Sequence, residues 1–410
     1  MRILHTSDWH LGHSLHQMGR EREHQLFIDW LVELSAREAV DAMVITGDVF
    51  DNANPPAVAQ QMWFDFLHRV TRAVSGIEVV VIAGNHDSPS RLEAPASLLS
   101  AMGVRIVGRV GYVDGELDTG ALVIPLHKDG RARAQVAAVP FLRPADLPPA
   151  VEGSDAIAGG VTAIYENVCA HARGVMGPGQ SLVVTGHLYA SGCDVSKMSE
   201  RRVLGGHEHV LGSELFPADA TYVALGHLHK AQRVGGKEEV RYAGSPIPLS
   251  LSEAGYRHQV VIAELDGPSV QVQVHPVPRA IEILRIPKRG SAAIDEILEE
   301  LAALPAIDSG SADLRPYLEV VVRLDEPLPN LRHELETALE GKYPRLVKAS
   351  VEYTGTGDPL AVSASAELRD LEPEEVFVRR YQRDHDGEVP ADLLAAFRDA
   401  LSAAHEEAEA

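Results

Sequence analysis

Five short apolar runs between residues 3 and 229 each end in a cluster of small and polar residues. These clusters contain Asp8, Asp48, Asn85, His187 and His227, and in the last four a glycine directly precedes the polar residue. Continuous β-branched runs of this length are typical of strands buried on both faces. Helical patterns at 21–39 and 57–74 lie between some of them, with apolar residues at every third or fourth position. This alternation predicts an α/β sandwich.

The polar side chains at the five predicted strand ends are of the types that hold divalent metal ions. Ligands of open α/β sheets bind beyond the carboxyl ends of the strands, so we expect these side chains to converge on one crevice. Carboxylates, an amide and imidazoles without thiolates suit ions such as Mn²⁺. One ion cannot use so many donors, whereas two ions that share a carboxylate can, and such a pair promotes in-line phosphoryl displacement. The predicted metal ligands are Asp8, His10, Asp48, Asn85, His187, His227 and His229.

Each of these residues also has an ordinary structural interpretation when it is taken alone. Asp48 could be a helix N-cap, Asn85 could be a turn residue, and His187 could be a surface histidine. A second Gly-His-x-His sequence, at 206–209, follows a charged segment and is predicted to be a loop. Only the coincidence of five suitable strand ends favours a metal site.

Composition and charge exclude several other classes of protein. A net charge of −22 argues against a protein that binds nucleic acid over its whole surface, although a local basic groove remains compatible with it. The two cysteines, Cys169 and Cys193, are not spaced as CxxC, so we expect neither a disulfide framework nor a thiolate zinc site. The polar N-terminus predicts no signal peptide, and no apolar run approaches the roughly 18 residues of a membrane span.

Changes in sequence texture predict three domains. Residues 1–275 carry the strand and helix alternation, and a proline-containing linker follows them. Residues 281–353 have a β-α-β-α-β pattern that predicts a small second domain. A small, polar segment at 354–365 precedes two amphipathic helical patterns within 366–405.

Taken in order, the motifs DxH, GDxFD, GNHD, GH and GHxH resemble those of the calcineurin-like metallophosphoesterases. The stretches LHTSDWHLG, GDVFDNANPP, PFLRP and AGSPIPLS are similar to the SbcD-type nuclease subunits of bacterial SbcCD complexes. The resemblance extends over essentially the whole chain. It implies a two-sheet metallophosphoesterase sandwich flanked by helices, with a small cap domain and a C-terminal helical segment.

The resemblance also assigns roles to individual residues. It implies that Asp48 bridges two ions, and that His86 faces the scissile phosphate without being a ligand. Asp51 stands where archaeal and eukaryotic relatives have histidine, and we expect it to orient His86 by a hydrogen bond. A first ion would be held by Asp8, His10 and His229, and a second by Asn85, His187 and His227.

The implied function is a DNA nuclease, acting as a 3′ to 5′ exonuclease on duplex ends and as an endonuclease on hairpins. Mn²⁺ is the expected ion, with Mg²⁺ or Fe²⁺ as alternatives. The implied partner is an SbcC-type ATPase, docked on the C-terminal helices in a cytoplasmic heterotetramer of two subunits of each kind. The rival interpretations are a phosphatase or cyclic-nucleotide phosphodiesterase, and a scaffold whose site has decayed. The presence of every expected ligand counts against a decayed site.

Overall fold

A computed structural model describes residues 1–148, 156–194, 211–212, 215–307, 314–354, 373–385, 389–390, 393–394 and 396–397. The chain divides into two compact units. The first comprises Met1–His13 and Glu23–Pro278, and the second comprises Ser14–Arg22 and Arg279–Ala410. None of the helices in the described ranges is both long enough and apolar enough to cross a bilayer.

The elements up to residue 276 are strands with six α-helices between them. In chain order they are β1 (Arg2–Thr6), β2 (Ser14–Leu15), β3 (Met18–Gly19), α1 (Glu21–Arg37), β4 (Ala42–Thr46), α2 (Ala57–Ala73), β5 (Glu78–Ile82), α3 (Pro89–Glu93), α4 (Ala96–Ser100), β6 (Val104–Val107), β7 (Tyr112–Val113), β8 (Glu116–Leu117), α5 (Thr119–Leu122), β9 (Val123–Lys128), β10 (Arg131–Ala137), α6 (Ala156–Val175), β11 (Ser181–His187), β12 (Tyr222–Gly226), β13 (Gln232–Arg233), β14 (Val240–Tyr242), β15 (Gln259–Asp266) and β16 (Ser269–Pro276).

Two six-stranded sheets form the first unit, in the orders β16-β15-β1-β4-β5-β6 and β13-β14-β12-β11-β10-β9. Strands β1, β4, β5 and β6 are parallel in the first sheet, and β10, β11, β12 and β14 are parallel in the second. The carboxyl ends of the parallel strands therefore share one edge within each sheet. This arrangement confirms the predicted α/β sandwich.

A continuous apolar core lies between the two sheets. Val44 and Ile82 of the first sheet and Val183 and Val223 of the second belong to this one cluster, and each is at most 1% exposed. A second apolar cluster lies on the other face of the first sheet, where β4 and β5 meet α1 and α2. Burial on both faces explains why the strand sequences are apolar without alternation. The predicted helices at 21–39 and 57–74 are confirmed as α1 and α2.

The second unit contains a small parallel sheet with two helices. Its elements are β17 (Ile283–Ile286), β18 (Ala292–Ala293), α7 (Ile294–Ala302), β19 (Tyr317–Leu324), α8 (Leu331–Ala338), β20 (Arg345–Tyr353) and α9 (Pro373–Asp384). Strand β19 is central and pairs with β17, β18 and β20. The predicted β-α-β-α-β order is thereby confirmed, with the short β18 as an addition that the sequence pattern did not predict.

The hairpin of β2 and β3 belongs to the second unit although it follows β1 in the chain. Just beyond it, Arg20 is 1% exposed and its guanidinium lies 5.8 Å from the ring centroid of Tyr317. Arg345 lies 5.0 Å from the centroid of the same ring. The first of these cation–π contacts joins residue 20 to β19, which is distant in the sequence, so no local pattern reveals it.

Several predicted segments fall wholly or partly outside the described residues. They are the Gly-His-x-His sequence at 206–209, the linker at 354–365 and most of the second C-terminal helix. In the part that is described, α9 presents Phe377, whose ring stacks on that of Phe397 with a centroid distance of 4.1 Å.

Candidate metal centre

The predicted ligands all follow strands whose carboxyl ends meet at the edge shared by the two sheets. Asp8 and His10 follow β1, Asp48 follows β4, Asn85 follows β5, His187 ends β11, and His227 and His229 follow β12. The fold therefore brings together side chains that are up to 221 positions apart in the chain, since 229 − 8 = 221. All of them belong to the first unit.

A first cluster is formed by Asp8, His10 and His229. Their ligand-capable atoms all lie within 4.8 Å of one another. The three residues are between 0% and 4% exposed, and the rings of His10 and His229 have centroids 5.2 Å apart. The first sheet supplies Asp8 and His10, and the second sheet supplies His229. Three such donors, nearly out of contact with solvent, could hold a metal ion.

A second cluster is formed by Asn85, His187 and His227. The Asn85 Oδ1 lies 3.0 Å from His187 Nε2 and 3.1 Å from His227 Nδ1. The rings of the two histidines have centroids 5.2 Å apart. This cluster also draws on both sheets, with Asn85 from the first and the histidines from the second.

Asp48 lies between the two clusters. Its Oδ2 is 3.2 Å from His187 Nε2 and 3.5 Å from His10 Nε2. Its Oδ1 accepts a hydrogen bond from the backbone N–H of His86 at 2.9 Å. One carboxylate therefore reaches donors of both clusters, which is the geometry that a shared ligand requires.

The backbone is strained at several of these positions. Left-handed φ angles, which non-glycine residues seldom adopt, occur at Asp8 (55°), His10 (48°), Asp48 (49°) and His227 (100°). Hydrogen bonds hold the strained segments together, because Asp8 Oδ1 accepts from the His227 N–H at 3.0 Å and His10 N–H donates to the Asp48 carbonyl at 3.0 Å. Strain of this kind persists where the surrounding structure over-determines it, and it is concentrated at functional sites.

Gly226 shows how closely the two sheets approach each other at this edge. A Cβ atom at this position would overlap the carbonyl oxygen of Thr46, which belongs to the other sheet. The same carbonyl accepts a hydrogen bond from His187 Nδ1 at 2.8 Å. A glycine before His227 is therefore required by the close approach of the backbones.

Burial and neighbouring charges shift the pKa values of the central groups. Burial alone would raise the pKa of Asp48, but His187 and His86 outweigh it and hold that pKa well below the usual range. Burial would lower the pKa of His187, but Asp48 raises it to about 9. Burial, aided by His187, lowers the pKa of His227 to about 3. These shifts favour a charged pair of Asp48 and His187 and a neutral His227.

The contacts of Asp51 differ from those expected from the sequence. We expected Asp51 to orient His86, and the hydrogen bond to His86 Nδ1 is made by the Asp51 main-chain carbonyl, at 2.6 Å. The Asp51 carboxylate instead lies 3.2 Å from His10 Nδ1. Any residue at position 51 could supply the main-chain carbonyl that contacts His86. The aspartate side chain itself is needed only for the contact with His10. His86 itself lies close to both His10 and Asp48, with ligand-capable atoms within 4.8 Å.

Sequence reasoning missed two carboxylates that support the site. Asp87 accepts hydrogen bonds from the backbone N–H groups of Val49, Phe50 and Gly84, at 3.2, 3.0 and 2.9 Å, and so joins the loops after β4 and β5. Glu253 lies 2.9 Å from His229 Nδ1. Asp87 belongs to the GNHD motif, which was a signal for it. Nothing in the sequence around Glu253 marks that residue as part of the site.

The donors fit a pair of divalent ions. They are carboxylates, an amide oxygen and imidazoles, the set expected for borderline-hard ions. His10 Nε2 is buried and, among the described residues, has no hydrogen-bond partner. A buried nitrogen without a partner is costly, and its closest carboxylate oxygen, on Asp48, is 3.5 Å away. A cation placed among these groups would satisfy it.

Comparison with known proteins agrees with this chemistry. Residues 1–231 match the calcineurin-like phosphoesterase family, and residues 277–385 match the Type 5 capsule protein repressor C-terminal domain. The SbcD subunit of the nuclease SbcCD from Rhodobacter capsulatus is 38% identical over 387 residues, which cover 93% of this chain and 94% of that protein. This chain belongs to the SbcD family. Similar proteins include the SbcD subunit from Escherichia coli K12, 32% identical over 93% of this chain and 92% of that protein. The SbcD subunit from Bacillus subtilis is 34% identical over 64% of this chain and 66% of that protein.

Proposed function

We propose that this chain is the catalytic subunit of a two-metal DNA nuclease. The observation that carries the proposal is the position of Asp48, whose carboxylate lies within 3.2 Å of a second-cluster histidine and 3.5 Å of a first-cluster histidine. A shared carboxylate between two donor sets is suited to binding two ions side by side. The family relationship supports the same reaction, hydrolysis of a phosphodiester.

The two clusters would each hold one divalent ion, and Asp48 would serve both. When bound, such a pair supplies charge stabilisation for the attacking and leaving oxygens of an in-line displacement and makes hydroxide available near neutral pH. Oxygen and imidazole donors suit Mn²⁺, with Mg²⁺ and Fe²⁺ as alternatives. The left-handed backbone at Asp8, His10, Asp48 and His227 would fix the direction of these side chains before an ion binds.

His86 would assist departure of the leaving oxygen. Its Nδ1 is engaged by the main-chain carbonyl of Asp51, so Nε2 is the ring nitrogen that can transfer a proton. Its backbone N–H is fixed by Asp48, which places the ring beside the shared carboxylate. General-acid assistance of this kind contributes about 10²–10⁴ to the rate. The Asp51 carboxylate would act by positioning His10 in the first cluster.

The substrate and partners are proposed from the names of the relatives, each of which is the SbcD component of a nuclease SbcCD. We infer 3′ to 5′ exonuclease activity on duplex DNA ends and endonuclease activity on hairpins. The partner would be an SbcC-type ATPase in a heterotetramer that contains two copies of this chain and acts on chromosomal DNA in the cytoplasm. Residues 1–275 would form the nuclease domain, 281–353 a cap that positions DNA, and 366–405 the docking helices.

The nuclease assignment is tested by comparing cleavage of linear duplex DNA with hydrolysis of a small phosphodiester, in Mn²⁺. We expect DNA to be cleaved with the higher kcat/KM. In His86→Ala we expect DNA cleavage to fall about 10²–10⁴-fold while two ions per chain remain bound. Metal content is measured by elemental analysis of the same samples. Preference for the small diester would favour a phosphatase or cyclic-nucleotide phosphodiesterase instead. Loss of both ions in His86→Ala would show that His86 is a ligand.

The docking assignment is tested by removing the residues beyond 365. We expect the shortened chain to retain manganese-dependent cleavage of DNA and to lose co-purification with the ATPase. The full-length chain, expressed with the ATPase in the same way, is the control. Retained co-purification would place the docking surface elsewhere in the chain.

A further inference from the structure

The segment that follows β14 wraps around His229. The backbone N–H of Ser245 donates to the His229 carbonyl at 3.1 Å. Gly244 has a φ of 79°, and a Cβ there would lie 2.7 Å from that carbonyl oxygen, too close for any other residue. Farther along the segment, Glu253 lies in a short 3-10 helix, Leu251–Gly255, and is completely buried. The AGSPIPLS segment, residues 243–250, therefore brings Glu253 next to His229.

The two oxygens of Glu253 have different partners. Its Oε1 lies 2.9 Å from His229 Nδ1, and its Oε2 accepts a hydrogen bond from the backbone N–H of Leu249 at 2.7 Å. Removing a carboxylate from water is costly unless it is hydrogen-bonded. These contacts account for its burial, and one of them points directly at a residue of the first cluster.

The geometry points to Glu253 as a positioning residue that sets the tautomer of His229, an inference that rests on the proposed function. The other oxygen of the Glu253 carboxylate already accepts from Leu249, and in the proposed arrangement Oε1 accepts a hydrogen bond from a proton on His229 Nδ1. In a neutral imidazole the lone pair then resides on Nε2, and a lone pair is what a metal ion needs. Carboxylates behind ligating histidines also increase ligand basicity, and their loss typically weakens metal affinity by about 10–100-fold.

Glu253→Gln is a sharp test because glutamine has one acceptor and one donor group. If its amide oxygen keeps the bond to Leu249, its NH₂ faces His229 Nδ1 and moves the ring proton to Nε2. If the amide is reversed, its NH₂ faces the Leu249 N–H, and two hydrogen-bond donors are placed against each other. We expect Mn²⁺ affinity to fall about 10–100-fold at one of the two sites and to remain unchanged at the other.

A matched control is available in the first unit. Glu78 also pairs with a histidine, with Oε1 3.0 Å from His127 Nδ1, and His127 belongs to neither cluster. Glu78→Gln makes the same chemical change at the same type of contact. Titration calorimetry with Mn²⁺ should give two sites of wild-type affinity for Glu78→Gln and one weakened site for Glu253→Gln. Equal affinities in both variants would overturn the role of Glu253.

The tautomer can be observed without metal and without activity. In chelated, ¹⁵N-histidine-labelled wild-type protein, two-bond ¹H–¹⁵N correlation spectra should show His229 protonated at Nδ1, with its signals assigned by their loss in His229→Gln. A proton on Nε2 would contradict the inference even if Glu253→Gln does not fold. Absence of any Mn²⁺ binding by the wild type would instead defeat the proposed function, so the two failures are distinguishable.

Discussion

The two clusters of the metal centre differ in the groups behind their imidazoles. In the first cluster, the Asp51 carboxylate stands behind His10 and the Glu253 carboxylate behind His229. In the second cluster, His187 is held by the main-chain carbonyl of Thr46. Both kinds of acceptor fix the ring, but only a carboxylate adds negative charge that increases ligand basicity. We therefore expect the first cluster to bind a metal ion more tightly than the second.

This difference shows where each site depends on side-chain identity. The Thr46 carbonyl is fixed by the strand β4 and would survive most substitutions at that position. The two carboxylates behind the first cluster can each be removed by a single substitution. We therefore expect metal affinity at the first cluster to respond to substitutions of Asp51 and Glu253, which are outside the proposed ligand set.

The largest expected effect comes from Asp48→Asn, which should weaken both clusters and so abolish the difference between them. Because Asp48 serves both clusters, we expect both ions to bind weakly and DNA cleavage to fall by more than about 10³-fold, corresponding to the several kcal/mol that metals supply to the transition state. Steady-state kinetics and elemental analysis measure the two losses. Normal occupancy with near-normal cleavage would mean that Asp48 is not shared.

A substitution in the second cluster should separate the two sites. His187→Ala removes a proposed ligand from a regular strand position, so no strained backbone angle is disturbed. We expect one ion to remain, in the first cluster, and cleavage to fall by about 10²–10³-fold, the usual cost of losing one electrostatic element of an active site. Metal titration followed by elemental analysis counts the ions. Retention of two ions of unchanged affinity would refute the assignment of His187.

A smaller effect is expected from Asp51→Asn, which acts behind the first cluster. The main-chain carbonyl that holds His86 is unchanged, while His10 loses its carboxylate. We expect Mn²⁺ affinity at one site to fall about 10–100-fold, and kcat at saturating Mn²⁺ to stay near the wild-type value. A reduced kcat with normal metal affinity would restore the role that the sequence suggested, orientation of His86.

The smallest effect concerns the protonation of His227 in chelated protein. Its folded pKa of about 3 lies below the unfolded value of 6.5, so its contribution to stability is complete above pH 6.5 and is lost as the pH falls towards 3. The slope approaches about 1.4 kcal/mol per pH unit for one proton. Urea unfolding of wild type and His227→Asn between pH 4 and 8 should show a stability difference that changes with this slope. A constant difference would contradict the buried, neutral state of His227.

Much of this architecture could be predicted because its signals are local. The strands are buried on both faces, so their sequences are apolar without interruption, and polar residues appear where the chain leaves the sheet, as at Asp48 and His187. Parallel strands then bring these residues to one edge. The helices α1 and α2 were predicted with small errors at their C-terminal ends because their apolar faces have a clear period.

The features that escaped prediction depend on contacts between distant parts of the chain. Glu253 lies in a short 3-10 helix whose sequence has no hydrophobic period. It contacts the site only because the segment after β14 folds back on His229. The distinction between the Asp51 carbonyl and its carboxylate is a matter of side-chain direction. The packing of Arg20 on Tyr317 joins residues nearly three hundred positions apart, since 317 − 20 = 297. None of these contacts leaves a repeating pattern in the sequence.

Each cluster takes donors from both sheets, and this has a consequence for heat stability. If the sheets separate, both sites come apart together, because neither sheet retains a complete set of donors. Ions bound to the native protein would link residues of the two sheets and so stabilise the sandwich. The melting temperature should therefore rise with the logarithm of free Mn²⁺ concentration, since a ligand that binds only the folded state adds RT ln(1 + [L]/Kd) to its stability.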